Sequence, residues 1–231
     1  MEEREYNKYR RRLRAFLKKY GDAYQPGVVD FIKACFKDSV DNIYDVDIMM
    51  QVKQAIGVKY DKPSYYEAHL QKIMENFDIG CRVVEIASGR FPALANLVAT
   101  EQLKIGKGTI TLYDPLLINM EPEYPNMTIK RKHFSHKTNI KDYDLLIATM
   151  PCRATDAILE TAAENHKDFY VAICPCDHFR KPLGPEELGL YQQYEADKAA
   201  YLTHKYNNGQ IIVDQLPDEY EIYTPIVYNK R

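Results

Sequence analysis

The sequence predicts an α/β protein with a doubly wound, mostly parallel sheet of seven strands and an N-terminal helical cap. Residues 1–78 show helical periodicity without a run of β-branched residues, which indicates the cap. After Gly80, short β-rich runs alternate with helical segments, a pattern typical of parallel strands joined by crossover helices. The chain closes with two β-rich runs separated by a polar segment. We therefore expect a helical cap over 1–78 and an α/β domain over 79–231.

Composition argues against several classes of protein. Of the 231 residues, 45% are hydrophobic and 28% are charged, so the chain can bury a core and is not a disordered tail. A net charge of −2 argues against a protein that coats nucleic acid over its whole surface. The five cysteines form an odd count, the residues after Met1 are polar, and no long apolar run is present. These features argue against a secreted disulfide scaffold and a membrane protein, and we expect a cytoplasmic protein with reduced thiols.

Four helices are expected in the cap. The first ends at Gly21 and combines a strong excess of Arg and Lys with an apolar stripe of Tyr6, Tyr9, Leu13, Phe16, Leu17 and Tyr20. A second helix covers 26–36 and a third covers about 42–56. The fourth begins at the capping-box sequence Ser64–Glu67.

The α/β domain is expected to contain five strands before the closing pair, at 82–87, 108–113, 127–132, 143–149 and 169–173. Helices connect them at 92–103, 153–165 and 184–206, and the closing strands lie at 210–213 and 221–228. The apolar run 145–148 is typical of a central strand that is buried on both faces.

The loop after the first strand carries the first functional signal. In an open parallel sheet, ligands bind at the carboxyl ends of the strands. The segment from Glu85 to Pro92 contains Gly89, which lets the backbone approach a ligand closely. Asp114 ends the second strand, where a carboxylate can accept hydrogen bonds from a ribose diol.

With these residues the chain resembles the class I S-adenosylmethionine-dependent methyltransferases over 79–231. Glu85 matches the family's acid, Gly89 its central glycine and Asp114 its ribose-binding acid, while Ala87 and Phe91 stand where glycines are common. The resemblance implies a Rossmann-like methyltransferase fold with S-adenosylmethionine as cofactor. It also implies a set of cofactor-binding residues, which are Glu85, Ala87, Ser88, Gly89, Asp114, Phe134, Thr149 and Met150.

Three cysteines follow the fourth and fifth strands, so we expect their loops to converge. The segments 152–156 and 174–178 resemble those of a group that includes tRNA 2′-O-methyltransferases, which read Cys-Gly-x-x-Thr-Asp after strand four and are Cys/His-rich after strand five. The catalytic candidates are Cys152, Cys176, Asp177 and His178, of which Asp177 or His178 could deprotonate a substrate hydroxyl. Thr155 and Asp156 are expected to cap the following helix.

Other roles stay open for these cysteines. They could be small buried residues. Cys152, Cys174, Cys176 and His178 are ligand types that zinc accepts, but without a Cys-x-x-Cys knuckle we predict no metal. Pro151-Cys152 and Pro175-Cys176 also resemble the Pro-Cys and Thr-Cys sequences of enzymes that methylate carbon 5 of cytosine in RNA, where a thiolate adds to the base.

The sequence thus favours a methyltransferase whose acceptor is a small molecule or RNA, with no membrane partner and with its oligomeric state open. One alternative is a binding protein with this fold but without catalysis, suggested by the missing glycines. Another is an RNA-binding module, suggested by the basic first helix. The first helix is also compatible with a purely structural role, in which its stripe packs on the sheet domain and its cations face water.

Overall fold

The computed structural model describes residues 3–20, 52, 65–89, 92–117, 120–174, 185–216 and 225–230. The predicted second helix lies outside these residues, as does the third apart from Val52. Ser64 of the predicted capping box and the segment with Cys176, Asp177 and His178 also lie outside them.

Helices and strands alternate along the described chain as the sequence predicts. The α-helices are α1 (Glu3–Tyr20), α2 (Tyr65–Asn76), α3 (Ala93–Ile105), α4 (Thr155–Glu164) and α5 (Pro185–Lys205). The strands are β1 (Arg82–Ile86), β2 (Thr109–Tyr113), β3 (Met127–Lys130), β4 (Leu145–Thr149), β5 (Asp168–Ala172), β6 (Gln210–Gln215) and β7 (Pro225–Lys230). A 3₁₀ turn, Cys152–Ala154, precedes α4.

The strands form one seven-stranded sheet in the order β3-β2-β1-β4-β5-β7-β6. All neighbours from β3 to β5 are parallel, whereas β7 runs antiparallel to both β5 and β6. The strand order reverses direction between β1 and β4, which is the point where open α/β sheets bind ligands. The predicted doubly wound fold with an antiparallel closing pair is therefore confirmed.

Alternation along the strands divides the core into two layers, one on each face of the sheet. Val83 of β1 belongs to a buried cluster that includes α1, α2 and α3, and its neighbour Val84 belongs to a cluster that includes α4 and α5. Helix α1 joins the first cluster through Tyr9, Leu13 and Phe16. The described part of the cap therefore shares its core with the sheet, and the domain boundary near residue 78 stays a prediction. Among the described helices, none is long and apolar enough to cross a bilayer.

Candidate functional site

A cavity of about 410 Å³ opens at the carboxyl ends of β1, β2, β3 and β4, beside the reversal of strand order. Its volume falls within the range of about 300–1,000 Å³ that is typical of small-molecule sites. Its walls combine aromatic and apolar surface with a few polar groups, and they comprise Ile86, Ala87, Tyr113, Asp114, Pro115, Leu116, His133, Phe134, Pro151, Cys152, Arg153 and Ala154.

Asp114 connects two of the loops that build this cavity. Its Oδ2 accepts a hydrogen bond of 2.9 Å from the backbone N–H of Gly89, and its Oδ1 accepts one of 2.7 Å from the N–H of Leu116. The residue is 5% exposed, so these charge-assisted bonds form away from bulk water. The carboxylate therefore holds the loop after β1 against the loop after β2.

The loop after β1 adopts a left-handed turn at the cavity wall. Ala87 has φ 59° and Gly89 has φ 70°, and the N–H of Ala87 donates to the carbonyl of Tyr113 at 2.9 Å. A residue with a β-carbon pays about 1–2 kcal/mol for this conformation, which glycine adopts without strain. The turn is thus made with Ala87 where glycine would adopt it without strain, at a cost that the rest of the fold offsets.

Glu85 lies beneath this loop and outside the cavity wall. It is 2% exposed, and it accepts a hydrogen bond from the backbone N–H of Ala95 in the first turn of α3. Burial raises the pKa of its carboxyl to about 8; the Ala95 N–H opposes this shift and the charge of Asp114 adds to it. Glu85 therefore joins the loop after β1 to α3. The predicted contact between Glu85 and a ligand stays a prediction.

Aromatic rings form the wall beside β2 and β3. Tyr113 and Phe134 both line the cavity and meet edge to face, with ring centroids 5.9 Å apart. Behind them, the Nζ of Lys130 donates to the hydroxyl of Tyr143 at 2.8 Å and lies 5.1 Å from the ring centroid of Tyr113. The sequence predicted Phe134 as a cofactor-binding residue but did not predict Tyr113. Tyr113 ends β2 directly before Asp114, and this position at the carboxyl end of a strand is a signal that could have identified it.

The β4 side of the cavity contains two more left-handed residues. Met150 has φ 53° and Cys152 has φ 47°, and the N–H of Met150 extends the ladder to β5 by donating to the carbonyl of Ala172 at 2.9 Å. Cys152 lines the cavity, whereas Thr149 and Met150 lie next to it at the end of β4 without forming its wall. Strained backbone of this kind is frequently found at functional sites.

The loops after β4 and β5 converge as the sequence predicts. The Sγ atoms of Cys152 and Cys174 lie 3.3 Å apart, and neither residue forms a disulfide. Cys174 is buried behind Cys152, so it has the environment of a small core residue. Within the described residues, no group of three or more His, Cys, Asp and Glu side chains could hold a metal ion. Cys176 and His178, the other members of the zinc alternative, lie outside those residues.

The expectation that Thr155 and Asp156 cap the next helix is wrong. The N-cap of α4 is Ala154, and no side chain caps it by a hydrogen bond. Thr155 lies one position inside the helix, so its hydroxyl donates backward to the carbonyl of Cys152 at 2.8 Å. Asp156 accepts a hydrogen bond of 2.7 Å from the Nζ of Lys198 and thereby connects α4 to α5.

The structure thus brings three of the predicted cofactor residues, Ala87, Asp114 and Phe134, into one cavity wall together with Cys152. Gly89 contacts this group through its bond to Asp114. Ser88 is buried beside Gly89, and its hydroxyl has no hydrogen-bond partner among the residues that the structure describes.

No model of a protein family matches the sequence, and no curated protein matches it either. Solved structures with a similar chain path include an S-adenosylmethionine-dependent O-methyltransferase from Thermotoga maritima, with 13% identity and a TM-score of 0.44 over 78% of this chain and 69% of that one. The CMeT domain of citrinin polyketide synthase has 13% identity and a TM-score of 0.48 over 99% of this chain and 67% of that one.

Human N-acetylserotonin methyltransferase, solved in complex with S-adenosylmethionine, has 13% identity and a TM-score of 0.44 over 95% of this chain and 66% of that one. This chain spans about two thirds of the length of each of the three proteins. At such identities and TM-scores, the similarities assign no activity to this chain, and its own strand order establishes the fold.

Proposed function

We propose that the cavity at the carboxyl ends of β1–β4 binds S-adenosylmethionine and that the protein is a methyltransferase. The observation that carries the proposal is Asp114, a nearly buried carboxylate that ends β2 and forms part of the cavity wall. The resemblance assigns the ribose to a carboxylate at this position, and the cavity has the volume of a small-molecule site.

The residues present fit such a cofactor. Asp114 would accept hydrogen bonds from the ribose diol, and the rings of Tyr113 and Phe134 would contact the adenine. The left-handed turn at Ala87 and Gly89 lets the backbone approach the ligand. Bound there, S-adenosylmethionine would supply an activated methyl group on its sulfonium. The residues of the chain would then align an acceptor with that methyl group. Alignment of the two reacting groups alone can account for a large part of the activation free energy of such a transfer.

The acceptor would be held on the β4–β5 side of the cavity. Cys152 lines this side, and Cys176, Asp177 and His178 follow β5 in the sequence. Asp177 or His178 would take a proton from an acceptor hydroxyl if the acceptor has one. We propose that the methyl acceptor is either a small molecule or an RNA nucleotide.

Calorimetric titration with S-adenosylmethionine and S-adenosylhomocysteine tests the proposal directly. We expect saturable binding to the wild-type protein, and about tenfold or more weaker binding after Phe134→Ala, because a ring that packs on the cofactor is removed. Glu75→Gln, an exposed change on α2, is the matched control and should bind as the wild type does. The absence of both binding heat and thermal stabilisation at millimolar ligand would refute the cofactor assignment.

A binding protein without catalysis is the second candidate, because Ala87 carries a β-carbon in a left-handed turn where the family commonly has glycine. The two functions differ in a transfer assay. Protein, S-adenosylmethionine with a tritiated methyl group and fractionated cell extract should yield a labelled RNA or small-molecule fraction if the protein is an enzyme. Cofactor binding without label in any fraction favours the second candidate.

A further inference from the structure

Helix α1 has two chemically distinct faces. Tyr9, Leu13 and Phe16 are 2%, 3% and 6% exposed and pack into the cluster that contains α2 and α3. The opposite side is cationic and exposed to solvent, and its side chains are Arg10, Arg11, Arg14 and Lys18. Arg12 is also exposed but lies beside the buried stripe, with its guanidinium carbon 6.0 Å from the centroid of the Tyr9 ring. We refer to the four residues on the opposite side as the basic face.

The basic face concentrates positive charge, although the net charge of the whole chain is slightly negative. The protein has a net charge of −2, yet no acidic residue occurs between Tyr6 and Tyr20. On their own helix, the cations of the basic face therefore have no acidic residue within four positions in the sequence. A locally positive field of this kind attracts polyanions even when the net charge of the protein is slightly negative.

The spacing of the basic face suits a repeating anion. Arg10, Arg14 and Lys18 occupy positions i, i+4 and i+8, so they form one row along the helix, with about 6 Å of axial rise from each to the next. This rise is comparable with the separation of successive phosphates along a nucleic-acid strand. Arginine is also well matched to phosphate, because its planar guanidinium can donate two hydrogen bonds at once.

A membrane is a poorer match than a nucleic acid for this helix. An amphipathic helix that binds a bilayer inserts its apolar face among the lipids. In α1 that face is already buried against the protein through Tyr9, Leu13 and Phe16, so only the cations are available. From Arg10 to Lys18 the exposed side chains are Arg, Lys and Ala, and Arg and Lys are the side chains that most often contact phosphate oxygens. The surface is therefore suited to the backbone of a flexible strand.

We propose that the basic face of α1 binds the phosphate backbone of single-stranded RNA. The contact is independent of base sequence and depends on salt, because each neutralised phosphate releases condensed counterions. It needs no S-adenosylmethionine, so it stands or falls separately from the cofactor assignment.

Fluorescence anisotropy with the full chain and a labelled oligouridine tests this proposal across a range of salt concentrations. Replacing three cations together, Arg10→Ala, Arg14→Ala and Lys18→Ala, should weaken binding on the order of 10- to 100-fold at low salt and reduce the slope of log K against log salt by about two. Thermal melting of the variant checks that α1 still packs, since the exchanged side chains are all exposed.

The matched control removes the same charge elsewhere, by Lys104→Ala, Lys137→Ala and Lys141→Ala, three exposed lysines of the α/β domain. It should bind RNA within about twofold of the wild type, because screening confines the field of a charge to about 10 Å at ordinary salt. A second variant, Arg10→Lys with Arg14→Lys, keeps the charge and should retain most of the affinity.

Three results would overturn the proposal. The first is equal loss in the α1 variant and the control, which would assign binding to net charge alone. The second is affinity that does not change with salt. The third is a stronger interaction of the basic face with another polyanion than with oligouridine, measured with single-stranded DNA of the matching sequence, an acidic polypeptide and vesicles containing phosphatidylserine.

Discussion

The two sides of the cavity are built by different means. On the β1–β3 side, the carboxylate of Asp114 bonds to two backbone N–H groups, and rings at Tyr113 and Phe134 pack edge to face. On the β4–β5 side, the wall rests on left-handed backbone at Met150 and Cys152 and on a close pair of thiols. The first side is thus pre-organised by charge-assisted hydrogen bonds, as a site for a constant ligand would be.

The β4–β5 side is built from a thiol pair and from backbone–backbone hydrogen bonds at Met150 and Ala154. Thiols are weak hydrogen-bonding groups, so the pair at Cys152 and Cys174 defines that wall mainly by volume. The difference is consistent with a cavity in which one side recognises the cofactor and the other accommodates an acceptor.

The largest effect is expected from Asp114→Ala. It leaves the N–H groups of Gly89 and Leu116 without their acceptor, and each lost charge-assisted bond costs about 1.5–3 kcal/mol. We expect the free energy of unfolding to fall by about 3–6 kcal/mol and the affinity for S-adenosylmethionine to fall about 10- to 100-fold, the scale of a lost buried hydrogen bond. Urea denaturation and calorimetry measure the two effects.

Asp114→Asn is the control for this prediction, because an amide keeps one oxygen as an acceptor and should lose less stability than alanine. Unchanged cofactor affinity in the alanine variant, with the fold intact, would show that the ribose lies elsewhere.

A smaller effect is expected from Glu85→Gln, and it should depend on pH. The carboxyl has a pKa of about 8 in the folded chain, against an ordinary value of 4.5, so between these values the folded state keeps a proton that the unfolded chain releases. The stability of the wild type should therefore decrease as pH rises through this window, with a contribution on the order of 1 kcal/mol per pH unit. The glutamine variant lacks this contribution, so its stability relative to the wild type should increase from pH 5.5 to pH 8.

Urea denaturation at several pH values in that window measures the difference. Glu75→Gln, the same substitution at an exposed position of α2, is the control for the chemical change itself. A stability difference between Glu85→Gln and the wild type that is constant over the window would mean that Glu85 is ionised in the folded protein.

Ala87→Gly tests how much the left-handed turn on the β1–β3 side of the cavity reduces the stability of the protein. Glycine removes the cost of the left-handed turn but adds conformational freedom to the unfolded chain, so we expect a net stabilisation of less than about 1 kcal/mol. Thermal melting measures it, with Ala95→Gly in the first turn of α3 as the control. That control should destabilise the protein, since it adds the entropic cost of glycine and removes a buried methyl group. Destabilisation by both changes would show that the Ala87 methyl group contributes packing that outweighs its strain.

The smallest effect is expected from Cys152→Ser. If the β4–β5 wall contributes volume and the β1–β3 wall contributes the cofactor contacts, affinity for S-adenosylmethionine should change by less than about threefold, well below the 1.4 kcal/mol that corresponds to a factor of ten. Calorimetry on this variant beside Phe134→Ala makes the comparison directly. If Cys152→Ser weakened the affinity for S-adenosylmethionine as much as Phe134→Ala does, the two walls of the cavity would not have the different roles that we propose.

Local patterns predicted most elements because their causes lie within a few residues. The sequence places α5 at Pro185, where a proline suits the first turn of a helix, and it places β4 around the apolar run that both core layers bury. The helix expected from Arg153 begins instead with a 3₁₀ turn, in which the N–H of Ala154 donates to the carbonyl of Pro151 at 3.0 Å. The periodicity of apolar residues does not distinguish such a turn from the start of an α-helix.

The candidate site was predictable where a residue's role follows from its place at the end of a strand. Ala87, Asp114 and Phe134 were identified in this way, and they share the cavity wall. Tyr113 was missed because its importance comes from its contact with Phe134, which lies far along the chain and reaches it only through the pairing of β2 with β3.

The sequence by itself determined the α/β class, the order of the elements and the position of an acid after β2, because hydrophobic period and turn residues act over short distances. Only the tertiary structure decided that Asp114 bonds to two loops, that Glu85 is buried with a raised pKa, and that Cys152 meets Cys174 at 3.3 Å. These features arise when the sheet brings distant strand ends to one edge. Burial and partner choice there depend on the packing of the whole chain.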